Sequence, residues 1–227
     1  AIAADRSFCR PHAGLAEIYY IESIYEVGAA KASLGKLALE HARRAVELDD
    51  QEAHGHAMLG FVSLYSGQFS KAARSFSRAS ELNPNDADIA MLHASQMAHM
   101  GDFEEAIESA RSALETNPFH PEWYFSELSV IYCLSGRYRE AVAYAELVEP
   151  AFPHSPAWLA VACAMLGMDV RAKEAAAQFV EGMSSVWRGD PRATPSDFAN
   201  WFLDFVPLPD DASRGRLREG LRAAGLL

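Results

Sequence analysis

A glycine- and lysine-containing stretch at 28–36 is the first candidate for chemistry, because phosphate-binding loops combine these residue types. Such a loop needs a preceding strand, a shorter spacing between its glycines and a Ser or Thr after the lysine, so that its backbone N–H groups all point at one phosphate. Here the spacing is two residues too long and Leu37 follows Lys36. We therefore interpret residues 27–35 as an insertion between two helices.

Eight histidines raise the question of a metal site. His54 and His56 are the closest pair in sequence, but residues two apart on a helix point about 200° apart and cannot share one ion. His120 and His154 fall in predicted loops, and the chain has no Cys-x-x-Cys pair to complete a zinc site. The sequence therefore predicts no metal and no cofactor.

A nucleophile for covalent catalysis is not indicated either. The three cysteines, Cys9, Cys133 and Cys163, are far apart in sequence, which argues against a disulfide framework. No Ser or Cys occupies a strand-to-helix turn of the kind that exposes a catalytic nucleophile. We expect Cys133 and Cys163 to be small core residues on neighbouring helices, and we expect no enzyme activity from this chain.

The composition is that of a folded protein with an acidic balance. The 227 residues include 31 Asp and Glu against 20 Lys and Arg, for a net charge of −11, and half are hydrophobic. This balance disfavours binding to nucleic acid or to an anionic membrane. No apolar run reaches the roughly 18 residues of a membrane helix, and no signal-peptide pattern begins the chain. We expect a cytoplasmic protein, and the missing initial Met predicts a fragment or a processed form.

The acidic charge is concentrated in the middle of the chain. Residues 81–149 hold 13 Asp and Glu but only three Arg. We interpret this stretch as the solvated outer face of the fold, since charged side chains prefer solvent. The alternative is a patch that steers a basic partner toward the protein.

An internal repeat organises the chain. Gly67, Gly101 and Gly136 each begin a Gly-x-aromatic-x-x-Ala motif, at spacings of 34 and 35 residues, and Asn83-Pro84 recurs as Asn117-Pro118 at the same period. Apolar residues between these markers follow helical spacing. Each period therefore predicts two helices, the first ended by Gly and the second by Asn-Pro.

This pattern resembles the tetratricopeptide repeat (TPR), most closely in the copy from Ala53 to Pro84. That copy keeps Leu59-Gly60, Gly67 and Ala72 at the family's spacing. The resemblance implies an all-α, right-handed TPR superhelix, an α-solenoid of about five helix pairs with a two-helix C-terminal cap. We divide this single solenoid, 1–227, into the tail of a preceding truncated repeat at 1–8, repeats at 9–50, 53–84, 87–118, 122–150 and 155–185, and a cap at 195–227.

A finer resemblance concerns the parent protein. The long first repeat and the segments 117–124 and 217–226 are similar to the C-terminal TPR regions of bacterial class III adenylate cyclases and of related bacterial regulators with a DNA-binding head. This implies a non-catalytic protein–protein interaction domain of a larger bacterial signalling protein, an adenylate cyclase-like one. The alternatives are the TPR domain of a transcriptional regulator and an enzyme domain that binds a small molecule in the solenoid groove.

In TPR arrays the first helix of each pair lines a concave groove. The resemblance implies a groove that binds an apolar or amphipathic protein segment. TPR domains that grip a C-terminal carboxylate use Lys, Arg and Asn there, whereas this groove has none and adds Glu17. We expect the groove to lack an acid–base pair, and a further alternative is homo-oligomerisation through the N-terminal end. The predicted partner-binding residues are His54, Met58, Phe61, Tyr65, Met91, Ser95, His99, Trp123, Ser126 and Glu127.

Overall fold

The computed structural model describes residues 8–147, 149–150 and 152–227, so the predicted tail of a preceding repeat, apart from Phe8, lies outside the described residues. Within these ranges the chain forms α-helices and no strand, which confirms the all-α prediction. None of the helices described there is both long and apolar enough to cross a membrane. The helices are α1 Arg10–Ser23, α2 Gly28–Leu48, α3 Ala53–Tyr65, α4 Phe69–Leu82, α5 Ala87–Met100, α6 Phe103–Thr116, α7 Trp123–Leu134, α8 Tyr138–Ala145, α9 Pro156–Met165, α10 Asp169–Val186, α11 Pro195–Phe205 and α12 Asp211–Ala223.

Consecutive helices pack in pairs, from α1 with α2 to α9 with α10. The first helices of neighbouring pairs also contact one another, so that α1, α3, α5, α7 and α9 form a continuous layer, which we call the inner helices. The helices α2, α4, α6, α8 and α10 form the outer layer. The remaining two helices form the cap, in which α12 packs on α9. The predicted solenoid of five pairs and a two-helix cap is thus confirmed.

Four glycines give the turns between inner and outer helices the same shape. Gly67, Gly101, Gly136 and Gly167 all have positive φ, from +70° to +95°, which side chains with a Cβ rarely adopt. The backbone N–H after each glycine donates to a carbonyl five residues earlier, as Asp102 does to Met97 at 3.0 Å. This closing bond satisfies the last carbonyls of the inner helix, and it fixes the angle at which the outer helix leaves.

Small residues allow each helix pair to approach closely. Ala38, Ala72, Ala106 and Ala141 recur once per repeat on the outer helices and are completely buried. On the facing inner helix, a Cβ added to Gly60 would lie 2.8 Å from the ring of Phe76, closer than real contacts allow. The repeated small residues therefore set the spacing between the two layers.

Side-chain caps fix where two of the inner helices begin. Glu52 accepts a hydrogen bond of 2.7 Å from the backbone N–H of Gly55 at the start of α3. Asp86 accepts bonds of 3.1 Å from the backbone N–H groups of Asp88 and Ile89 at the start of α5. Both caps satisfy N–H groups that would otherwise lack partners.

The predicted insertion at 27–35 is wrong in its conformation. Residues from Gly28 onward form the first turns of α2, which is 21 residues long. The sequence there is rich in Ala, the best helix former, so the extra residues lengthen a helix instead of looping out. The backbone N–H groups around Lys36 serve the helix, consistent with our rejection of a phosphate loop.

Candidate functional site

A cavity of about 640 Å³ lies on the concave side of the solenoid. Its walls come from all five inner helices, and residues 205–207, which begin at the last residue of α11, complete it. We call this cavity the chamber. Its volume is in the range of sites that hold a small molecule or a few residues of a peptide.

The cap turns the expected open groove into this chamber. The hydroxyl of Tyr25, which follows α1, is hydrogen-bonded to Nδ1 of His154 at 2.8 Å, and its ring stacks on Trp201 of α11 with a centroid separation of 5.7 Å. Phe205 of α11 packs against Tyr65 of α3 at 5.5 Å. The first repeat and the cap therefore meet across the concave face.

Eight of the ten predicted groove residues line the chamber, and they follow a regular stripe. On α3 the stripe begins at His54 and reaches Tyr65 in steps of four, three and four residues, which keeps it on one helix face. Adding the 34-residue period carries it to α5, where it begins at Asp88 and reaches His99. The eight residues are His54, Met58, Phe61, Tyr65, His99, Trp123, Ser126 and Glu127.

Met91 is a wrong assignment. Its side chain has no exposed surface and lies in the core between helices. The residue one period after Met58 is Leu92, which does line the chamber. Since one residue along a helix turns the side chain by about 100°, the shift from 92 to 91 moved the prediction onto the packing face.

Ser95 was predicted on the groove surface, but it is 6% exposed and lies behind the chamber wall. Its hydroxyl donates a hydrogen bond of 2.6 Å to Oε2 of Glu127 on the neighbouring inner helix. Ser95 therefore positions a chamber residue.

The sequence interpretation missed the contributions of α1, of the segment before α9 and of the cap. Tyr20 of α1 lines the chamber, and so do Phe152, His154 and Phe205. Extending the stripe backward onto α1 would have found Tyr20, which follows Glu17 by three residues. The cap residues carry no repeat signal, because their position depends on how far the solenoid curves.

Aromatic rings form one end of the chamber, which we call the aromatic floor: Tyr20, Phe61, Tyr65 and Phe205. Tyr20 meets Phe61 edge-on with centroids 4.9 Å apart, and Tyr65 lies 5.0 Å from Tyr20 and 5.1 Å from Phe61. Edge-on and tilted contacts of this kind stabilise aromatic clusters beyond the area they bury. The floor is therefore a preformed surface.

Glu127 of α7 brings a carboxylate to this apolar environment. Desolvation raises the pKa of Glu127, and the hydrogen bond from Ser95 only partly opposes that effect. Among the described residues, no group donates a hydrogen bond to the other oxygen, Oε1. Glu127 thus presents one carboxylate oxygen to the chamber without a protein partner.

Two tyrosine hydroxyls of the aromatic floor share this environment. Desolvation raises the pKa of Tyr20 and of Tyr65, and the charge of Glu127 raises both further. Both tyrosines line the chamber, and neither hydroxyl has a hydrogen-bond partner within the part of the chain that the structure describes. They remain neutral near pH 7 and can donate or accept a hydrogen bond.

Two histidines in the chamber wall are held neutral. Burial lowers the pKa of His99 to about 4, and its Nδ1 lies 2.8 Å from the backbone oxygen of Ser95. Since a carbonyl oxygen only accepts, the proton is on Nδ1 and Nε2 is left as an acceptor. Burial also lowers the pKa of His154 to about 4. Both imidazoles are therefore neutral near pH 7 and act in the chamber wall as hydrogen-bonding groups.

The charged groups that line the chamber are all acidic in the described residues. Glu17, Asp86 and Asp88 join Glu127, and neither Lys nor Arg appears on the wall there. Asp88 also accepts a hydrogen bond of 2.6 Å from the hydroxyl of Tyr124. The chamber consequently has a negative potential, which favours cations.

Metal and thiol chemistry find no support near the chamber. Within residues 8–147, 149–150 and 152–227, no three His, Cys, Asp or Glu side chains come together as a metal site. Cys133 and Cys163 are buried and free, as predicted for core residues. Burial raises the pKa of Cys133 to about 12, so its thiol is a poor nucleophile.

Comparison with known sequences identifies the repeat. Residues 98–156 match the tetratricopeptide repeat family. Transcriptional regulator HilA of Salmonella typhimurium (strain LT2) is 26% identical over 127 residues, which are 56% of this chain and 23% of HilA. The chain therefore spans less than a quarter of the length of this curated relative.

Solved structures agree on the fold. The anaphase-promoting complex hetero-tetramer Cut9–Hcn1 has a TM-score of 0.63 at 14% identity, over 97% of this chain and 44% of the other. PilF of Pseudomonas aeruginosa has a TM-score of 0.54 at 15% identity, over 95% of this chain and 91% of the other. Together with the paired helices and the repeated glycine turns, these matches show that the chain folds as a tetratricopeptide-repeat solenoid.

Proposed function

We propose that residues 1–227 form a single, non-catalytic interaction module that binds a short segment of a protein partner in the chamber. The observation that carries this proposal is the stripe of mostly apolar and aromatic side chains that continues across the inner helices. Rigid aromatic anchors of this kind often dominate binding energy. The proposal assigns no nucleic acid, membrane or cofactor to the module.

The cap favours an extended segment over a helical one. An α-helix with its side chains is about 10–12 Å across, so it needs an open groove. Here the contacts of Tyr25 with His154 and Trp201 cross the concave face. An extended peptide of a few residues fits a chamber of about 640 Å³ better than a helix does.

We propose that the module belongs to a larger bacterial regulator. The similarity to HilA supports a transcriptional regulator as the parent, which the sequence predicts only as the alternative to an adenylate cyclase-like protein. The other class, a class III adenylate cyclase-like protein, rests on the sequence resemblance alone. Sequencing the gene upstream of position 1 tests both, since a DNA-binding domain and a cyclase domain are easily told apart.

Selection from a random heptapeptide library tests the binding function. We expect the immobilised protein to enrich a defined set of peptides, and we expect the change Phe61→Ala with Tyr65→Ala to weaken their binding by about 30-fold or more, which is typical of lost hot-spot residues. Phe119→Ala is the matched control, because Phe119 is 96% exposed and lies outside the chamber lining.

Two results would contradict this function. Selection that enriches no peptide over a protein-free support would remove the peptide-binding role. Enriched peptides that bind equally well to the folded double variant would move the binding surface out of the chamber, for example to the acidic outer face. Circular dichroism of each variant checks that the helices remain.

A small-molecule enzyme is the second candidate, and two hydrogen bonds favour it. Both His99 and Glu127 are hydrogen-bonded to Ser95, one to its backbone oxygen and one to its hydroxyl, so two groups capable of proton transfer lie together. A histidine with a pKa of about 4 is a weak base near pH 7, which is why we rank this candidate second. Turnover of a soluble substrate that Glu127→Gln abolishes would reverse the order.

A further inference from the structure

We infer that the aromatic floor and Glu127 form a recognition site for a lysine side chain of the bound segment. This inference rests on the proposed function, because the lysine belongs to a peptide held in the chamber. It specifies lysine at one position of that peptide, and it identifies Glu127 as the residue that selects lysine over an uncharged side chain.

Polar groups without partners are the first argument. Oε1 of Glu127, the hydroxyls of Tyr20 and Tyr65, and Nε2 of His99 all belong to chamber-lining residues and have no hydrogen-bond partner among the described residues. These four atoms are open to the chamber, since Ser63 Oγ is the one fully buried side-chain polar atom without a partner in the described residues. A ligand that displaces solvent from them must replace its hydrogen bonds, because leaving a polar group unpaired costs about 1–3 kcal/mol. Four such atoms in one apolar chamber therefore indicate a ligand that supplies hydrogen-bond donors.

The sign of the charge is the second argument. The carboxylate of Glu127 and the imidazole Nε2 of His99 only accept hydrogen bonds, and the described wall has no positive side chain. A donor-rich, positively charged group complements this set, whereas a carboxylate or phosphate would be repelled. Aromatic rings beside the carboxylate add cation–π attraction.

The hydrogen-bonding state of Glu127 decides between lysine and arginine. A guanidinium normally pairs with both oxygens of a carboxylate through its planar fork. Here Oε2 already accepts the hydroxyl of Ser95 at 2.6 Å, so Oε1 is the oxygen with both lone pairs free, and a symmetric two-oxygen pairing is disfavoured. An ammonium group has three separately directed donors, which suits one carboxylate oxygen with acceptors on other helices. Its four-carbon stem would lie along Phe61.

The experiment uses the most enriched heptapeptide from the library and the same peptide with norleucine in place of its lysine. Norleucine keeps a four-carbon side chain and removes only the charge and the donors. By calorimetry, we expect norleucine to weaken binding at least about tenfold, the effect of losing a charged hydrogen bond. We expect Glu127→Gln to remove this difference between the peptides.

Glu122→Gln is the matched control for Glu127→Gln. Glu122 is exposed immediately before α7 and does not line the chamber, so the same chemical change there should leave the preference intact. Tyr65→Phe is a second variant that removes only a hydroxyl, and we expect it to reduce the lysine preference by a smaller factor.

Each outcome has one meaning. Enriched peptides without lysine, or equal affinities for lysine and norleucine, would overturn the lysine inference and leave the peptide-binding function standing. The absence of any enriched peptide would overturn both. A third arm uses n-butylammonium chloride. If it bound as tightly as the peptide and displaced it, the site would belong to free amines and the inference would fail.

Discussion

The middle of the solenoid and its two ends contribute different things to the chamber. The helices α3 to α8 repeat one design, in which a glycine of positive φ ends each inner helix and a buried alanine follows on the outer helix. The first repeat has a longer second helix, and its positive-φ glycine, Gly28, begins α2 instead of ending α1, while the cap has no repeat motif. Yet Tyr25, Trp201 and Phe205 from these ends make the contacts that close the concave face.

This difference distinguishes the residues that build the solenoid from those that determine which ligand it binds. The regular repeats fix the spacing and curvature of the wall, which many sequences with the same motif could provide. The irregular ends decide how much of the concave face stays open and which groups surround a ligand. Residues outside the motif are therefore the more informative ones about function.

The largest expected effect is on how protein stability depends on pH. It comes from two histidines, His99 in the regular wall and His154 in the contact that closes the concave face. In the folded protein the pKa of each is about 4, below the ordinary value of 6.5, so the unfolded chain binds more protons between these values. The free energy of unfolding should therefore fall as the pH drops from 6.5 toward 4, by up to roughly 3 kcal/mol for each histidine.

Urea melts at pH 7, 5.5 and 4.5 measure this loss, and His99→Gln and His154→Gln should each remove part of it. Glu127 acts in the opposite direction, because its raised pKa makes the folded state lose stability as the pH rises through that value. A wild-type stability that does not change between pH 6.5 and 4.5 would contradict the assignment of buried, neutral histidines.

The sequence was sufficient to predict the helices that form the chamber wall. It was insufficient to predict the contacts that close the concave face. Gly101 and Ala106 have the structural roles that their spacing predicted, because each acts within one helix or one helix pair. The contact between Tyr25 and Trp201 joins residues far apart in sequence, and it depends on the accumulated rotation of all the intervening pairs. Local spacing contains no measure of that rotation, so the chamber could not be predicted.

The second expected effect tests the regular repeats. Ala106→Leu places a larger side chain at a completely buried position between α5 and α6, and we expect it to lower the free energy of unfolding by roughly 1–3 kcal/mol. Ala177→Leu on α10 is the matched control, since Ala177 is exposed. Thermal or urea melts that shift equally for both variants would place the repeat contacts elsewhere.

The smallest expected effect concerns the contact between Tyr25 and His154 that closes the concave face. Tyr25→Phe removes one hydrogen bond, to Nδ1 of His154, and should cost about 1 kcal/mol. We expect faster amide hydrogen exchange in α11, with little change in α5 and α6, because only the contact between the ends is weakened. Tyr19→Phe on α1 is the control, as Tyr19 lies outside the closing contact. Uniform changes along the chain would argue against a local closure.

The contact between the two ends also bears on how the chain unfolds. In an ordinary repeat array each unit touches only its neighbours, so terminal repeats fray first and intermediates accumulate. The bond from Tyr25 to His154 spans 129 residues, and it holds the first repeat to the far end of the array. Such sequence-distant contacts raise the contact order, which slows folding. They also couple the unfolding of the first repeat to the unfolding of the last. The solenoid should therefore melt more cooperatively than an array without this contact.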